Sequence, residues 1–164
     1  MRFRSPIAAL SLFFALLVLT FADAKRGAYG AEVDDSAHAF VQDRHLGESL
    51  GWLGYQVASR TATFASIVEA IGKTQAQALV KDELERLQPE YQEQWDRNLA
   101  AAYAQFFSAE ELRNMNSDNG AQMLANKLRA KQNDVGMDMK ARSAELLKTY
   151  VSRALNNAQR TLEH

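Results

Sequence analysis

The chain has 164 residues, a formal net charge of −1 and no cysteine. A balance so near neutral gives no electrostatic basis for binding nucleic acid or a strongly anionic surface. The missing thiols exclude disulfides, thiol catalysis, cysteine-based zinc sites and iron–sulfur clusters.

The N-terminus reads as a secretory signal. Arg2 and Arg4 precede an apolar run from Ile7 to Ala22. That run is shorter than the roughly 20 residues a membrane span needs. Ala22-Asp23-Ala24 has the small-x-small pattern of a cleavage site, so a cut after Ala24 is expected. The style of the segment points to a Gram-negative bacterium and its periplasm. With no cysteine beside the cut, lipid attachment there is excluded. The expected organisation is a signal peptide at 1–24, a flexible Gly- and Ala-rich arm at 25–35, and a single all-α domain at 36–164. A chain of this size buries about two-thirds of its unfolded surface without covalent staples.

Helical signals fill the rest. Ser36 is placed to cap a first helix carrying Ala37, Phe40 and Val41, with Gly47 ending it. Leu50, Leu53, Val57, Phe64, Val68 and Ile71 recur at helical steps, with Thr61 filling the middle turn. They predict one helix over about 49–71, ended at Gly72 and Lys73. Thr74 and Gln77 fit a capping box for a third helix bearing Ala76, Val80, Leu84 and Leu87. Pro89 predicts a boundary and the first turn of a fourth helix. In that helix Tyr91, Trp95, Leu99, Ala102 and Phe106 share one face. Ser108 and Glu111 form a second capping box, with Phe107 stapled onto Leu112. This short helix ends by Asn116, and a last long helix runs from about Asp118 to Thr161. Leu124, Leu128, Val135, Met139, Leu146 and Tyr150 line it, and Gly136 marks a bend or break. The fold expected is an all-α bundle of about five or six helices with a long C-terminal helix.

The chemistry-bearing residues are sparse. Asn114, Asn116 and Asp118 alternate like the first ligands of a calcium loop. Such a loop needs Gly at its sixth position and Glu at its twelfth, where this chain has Asn119 and Ala125. The segment from Asn116 to Gly120 is therefore expected to be a helix-to-helix joint. His38 and His45 are seven apart, about 10 Å along a helix and too far for one ion. Met115 and Met123 occupy helical apolar positions and are expected in the core, whereas Met137 and Met139 point to different faces, so copper ligation is not expected. Asp82, Glu83, Glu85, Glu110 and Glu111 sit beside Lys81, Arg86 and Arg113 in polar helix surface, the setting of solvated carboxylates and not of an acid–base pair. No catalytic constellation, metal site or cofactor site is expected, and the protein is not read as an enzyme.

Gly47, Gly51 and Gly54 are the exception. They share one helical face, with Trp52 and Tyr55 at its flanks. Each glycine costs a helix about 1 kcal/mol, which points either to a close backbone approach, by another helix or a ligand, or to a loop here with the helix starting near Trp52. Gly47, Gly51, Gly54, Trp52 and Tyr55 form the candidate contact patch.

One further pattern runs through Pro89 and Tyr91, then Tyr103-Ala104-Gln105-Phe106-Phe107-Ser108-Ala109-Glu110-Glu111-Leu112, then Ser117 and Gly120. It resembles the secreted bacterial family known only as domain of unknown function 2059, over the C-terminal half. That family shows Phe-Thr/Ser-x-Glu-Glu-Leu, then Phe-Tyr-x-Ser-Pro-x-Gly and a long final helix. Here the Phe-Tyr pair and about one helical turn are missing, and Asp118 stands in place of the Pro. The resemblance implies a helical periplasmic domain with no established activity, and it too makes 116–120 a joint. The function expected is a non-enzymatic protein-interaction module of the cell envelope, with another envelope protein or a peptide as partner and a homodimer as an option. The alternative is a small-ligand or lipid-binding domain lined by Tyr91, Trp95, Tyr103 and Phe106.

Overall fold

The computed structural model describes residues 29–163. The expected signal peptide at 1–24 and the first residues of the arm lie outside them. In chain order the elements are α1 (29–43), a 3₁₀ turn (Leu46–Ser49), α2 (Leu50–Ala58), α3 (Ala62–Ile71), α4 (Lys73–Ala104), α5 (Ala109–Met115) and α6 (Asp118–Leu162). The described residues contain no strand, so the fold is the all-α bundle expected, with its long last helix. No helix among them is long and apolar enough to cross a membrane.

The frame is an antiparallel pair, α4 against α6. Asn98 faces Ser143, Glu90 faces Arg153 and Glu83 faces Asn157. Val80, Leu84, Leu87 and Trp95 from α4 meet Val135, Met139, Tyr150, Val151 and Leu155 from α6. Ala154 and Ala158 are fully buried on α6. The 45 residues of α6 extend over about 68 Å, so α6 runs on past α4 to carry α5 at its start. One buried and one half-buried polar contact fix the register. Tyr150 Oη donates to the Leu84 carbonyl at 2.7 Å. Asn98 Nδ2 donates to Ser143 Oγ at 3.0 Å, and that hydroxyl in turn points at Met139 Sδ. A buried polar group without a partner costs about 1–3 kcal/mol, so a slipped register is disfavoured.

Short polar side chains set several boundaries. Ser108 and Glu111 make the expected reciprocal cap of α5, and Phe107 and Leu112 are both buried beside it. Thr61 corrects the expectation of one helix over 49–71. Its hydroxyl accepts from Phe64 N at 3.1 Å and donates to the Ala58 carbonyl at 2.7 Å, ending α2 and starting α3. A hydroxyl that competes for backbone groups favours a cap over a helix interior.

Pro89 does the opposite of what was expected: α4 runs through it without a boundary. Its ring leaves the Glu85 carbonyl without a helical donor. Glu85, Pro89 and Glu90 are all exposed, so this turn faces water, while Leu84, Leu87 and Trp95 keep both halves on one core. Thr74 forms no capping box, because α4 starts one residue before it, after Gly72 at φ 83°. The expected arm is helical over 29–35. Ser36 lies buried inside α1 and accepts from Arg113 instead of capping. Helix α1 stops before Gly47, at a turn where His45 takes φ 53°. Gly136 does not break α6, which runs through it.

Candidate functional site

Helix α2 owes its position to its glycines. Leu84, Gln88, Gln92 and Asp96 recur every four residues and form one row along α4. A Cβ on Gly47 would stand 1.7 Å from Asp96 Oδ1. One on Gly51 would stand 2.8 Å from Gln88 Oε1, and one on Gly54 2.7 Å from Tyr150 Cε1. The close approach expected of the three glycines is thus made to the chain's own helices. Polar groups stitch the seam. Gln92 Nε2 donates to the Gly47 carbonyl at 2.9 Å and to Asp96 Oδ1, and Gln88 Nε2 donates to Gln92 Oε1.

The contact patch expected from sequence is therefore divided. Gly47 and Gly54 are buried and offer nothing to a partner. Gly51 edges a surface groove between α2 and α4. Trp52 and Tyr55 stand beside it, with Glu48, Lys81 and Glu85 around them. Trp52 is 64% exposed. Tyr55 is half-buried, edge-on to Phe64 at 6.1 Å between ring centroids, with Lys81 Nζ 5.0 Å above its ring. Lys81 and Glu85 were not connected with Trp52 in the sequence, because only the packing of α2 on α4 brings them beside it, whereas Glu48 lies one turn before it.

The other candidates resolve into structure. Asn116 ends α5, and Ser117 Oγ caps α6 by accepting from Gly120 N at 3.1 Å. Arg44 donates to the Met115 carbonyl and Asn116 to Asp43, tying this joint to α1. His38 is half-buried in a shallow groove with Asp34, Asp35 and Arg97. His45 lies 3.3 Å from Glu48 at the surface. Among the described residues no three His, Asp or Glu side chains converge as metal ligands would. Met115 and Met139 are buried, but Met123 is 84% exposed. It sits near the start of α6 on the rim of a surface groove shared with α5, so the expected core role is corrected. The aromatic stripe of α4 is spent on packing. Trp95 lies in the core, Tyr91 leans on Tyr150, and Tyr103 packs between Phe40 and Phe107.

The shifted titratable groups each have a structural cause. Burial raises Tyr103. Burial, then the charge of Glu85, pushes Tyr150 up to about 12. Hydrogen bonds to Glu90 and Tyr91 raise Arg153. Glu111 is lowered first by hydrogen bonding from Lys127, at 2.6 Å, and then by the Ser108 N–H. Lys127 comes from across the joint, so no local signal in the sequence announced it. The folded state holds the Glu111 proton less tightly than the unfolded chain does. Its contribution is complete above the ordinary carboxylate range and is lost as pH falls through the lowered folded value. Glu111→Gln keeps the cap but removes the charge. We expect it to cost about 0.5–1 kcal/mol at neutral pH, and the gap from wild type to close as urea midpoints are followed from pH 7 to pH 3. A gap independent of pH would show that the ion pair contributes nothing.

The chain matches no family model, no curated protein and no solved structure.

Proposed function

We propose that this is an exported helical protein of the bacterial envelope that works by holding another protein, with the Trp52–Tyr55 face of α2 as its contact surface. The observation that carries this reading is Trp52, a large aromatic side chain 64% exposed beside a groove. Exposed aromatic residues are enriched where protein surfaces meet, and truncating such an anchor often costs more than 2 kcal/mol of binding. The signal-like segment from Arg2 to Ala24 supports export. The resemblance of the C-terminal half to domain of unknown function 2059 supports a periplasmic setting.

A photo-crosslinking residue at position 52, in protein expressed with its own N-terminus, tests the reading. It should give a discrete adduct with a protein in the periplasmic fraction, while the same residue at Met137, also exposed, should not. No adduct at 52, or equal adducts at both positions, would remove this surface from the proposal. Intact mass of the periplasmic protein tests export: a chain beginning at Lys25 is expected, and an uncut chain retained in the cytoplasm would refute it.

A further inference from the structure

Among the described residues, four aromatic rings carry one of the protein's own cations on a face. Lys81 stands 5.0 Å over Tyr55, Lys127 5.1 Å over Phe107, Lys131 5.4 Å over Phe106 and Arg153 5.6 Å over Tyr91. Trp52 is a better acceptor of a cation than Phe or Tyr, because the indole face carries more negative potential. It is nevertheless open to solvent, and no cation of the described residues stacks on it. The charge around it has the matching sign. From Leu46 to Ser59 the only charged residue is Glu48. The facing wall of α4 adds Glu85, and the only cation of the groove, Lys81, is already placed over Tyr55. Two carboxylates and an open indole make a site for a positive side chain. An acidic partner would meet repulsion there, and a purely apolar anchor would make no use of Glu85 or of Glu48, whose one ion-pair neighbour is the exposed His45 at 3.3 Å.

We infer that the Trp52 face receives a lysine or arginine side chain of the partner protein, stacked on the indole between Glu48 and Glu85. The inference rests on the protein-binding reading above and names the chemistry of the contact. It is tested without knowing the partner. Capped heptapeptides differing only in a central Arg, Ala or Glu are titrated into the whole protein, and the two indole N–H resonances are followed by NMR. Trp95 is buried and serves as the internal reference, so only the Trp52 resonance should move. The Arg peptide should bind at least several-fold more tightly than the Ala peptide, and the Glu peptide most weakly. Glu48→Gln with Glu85→Gln should erase the preference for Arg, and raised salt should weaken it. Lys81→Ala should strengthen it by removing a competing charge. If the three peptides move Trp52 equally, or none moves it while crosslinking at 52 still finds a protein, the cation is wrong and the contact surface stands. If crosslinking at 52 also fails, both fall.

Discussion

Tyr150→Ala will destabilise the protein by about 3–5 kcal/mol, the cost of emptying a fully buried aromatic site. The ring is completely enclosed. It lies under Gly54 of α2, against Leu84 and Tyr91 of α4, and its hydroxyl donates to the Leu84 carbonyl. It thus joins the three helices that position the groove. Tyr150→Phe isolates the hydrogen bond and should cost about 1–2 kcal/mol. It should also alter the alkaline limb of stability. Pushed up to about 12, the folded phenol holds its proton more tightly than the unfolded one. Its contribution is complete below about pH 10 and is lost as pH rises from there towards 12, a loss that the Phe variant cannot show. Gly54→Ala gains about 1 kcal/mol of helix propensity. Its new methyl meets the ring at 2.7 Å and Leu84 at 3.2 Å, and overpacking of that kind costs about 1–3 kcal/mol. The net effect is destabilising in wild type. With Tyr150→Ala already present the ring is gone, and Gly54→Ala should become neutral or stabilising. Urea denaturation of the four proteins gives the coupling. Additive effects would mean that Gly54 and Tyr150 do not press on each other.

Local chemistry is what the sequence made legible. Ser108 and Glu111 are three apart and need nothing else to form a cap, so α5 was readable. The stripe of α6 was readable for the same reason, since Val135, Met139 and Tyr150 follow from period alone. The expectations that failed turned on what lies opposite. Thr61 occupies an apolar register position, and only the turn from α2 to α3 decides that its hydroxyl caps. Pro89 is a boundary signal that loses to packing, because the carbonyl it frees belongs to a turn facing water while both halves of α4 share one core. The glycines announced a close approach without naming its partner. Gln88, Gln92 and Asp96 lie some forty residues on, in a helix that was expected to break. Trp52 could be singled out as an aromatic flank, yet Glu85 gains meaning only once α2 lies on α4. Met123 shows the converse error, an apolar register position that lies on the rim of the α5–α6 groove and not under α5.

The sharpest contrast is expected from one substitution made twice in α6. Gly136→Ala places its methyl where no atom lies within 4 Å. It should stabilise the protein by about 0.5–1 kcal/mol, the usual gain of alanine over glycine in a helix. Gly120→Ala offers the same gain in the first turn. At Gly120, however, the methyl would stand 2.0 Å from the Asn114 carbonyl oxygen and 2.6 Å from its carbon. Both are backbone atoms and cannot swing aside as a side chain can. The turn must open instead, which breaks the contacts of Ser117 Oγ with Gly120 N and the Asn114 carbonyl. It also draws α5 away from α1, straining the links from Arg44 to Met115 and from Asn116 to Asp43. Gly120→Ala should therefore destabilise by about 1–3 kcal/mol. Hydrogen exchange should quicken over 109–124 and remain unchanged in the centres of α4 and α6, because local opening need not unfold the bundle. Equal stability of the two variants would show that α5 and α6 are joined more loosely than the Ser117 cap requires.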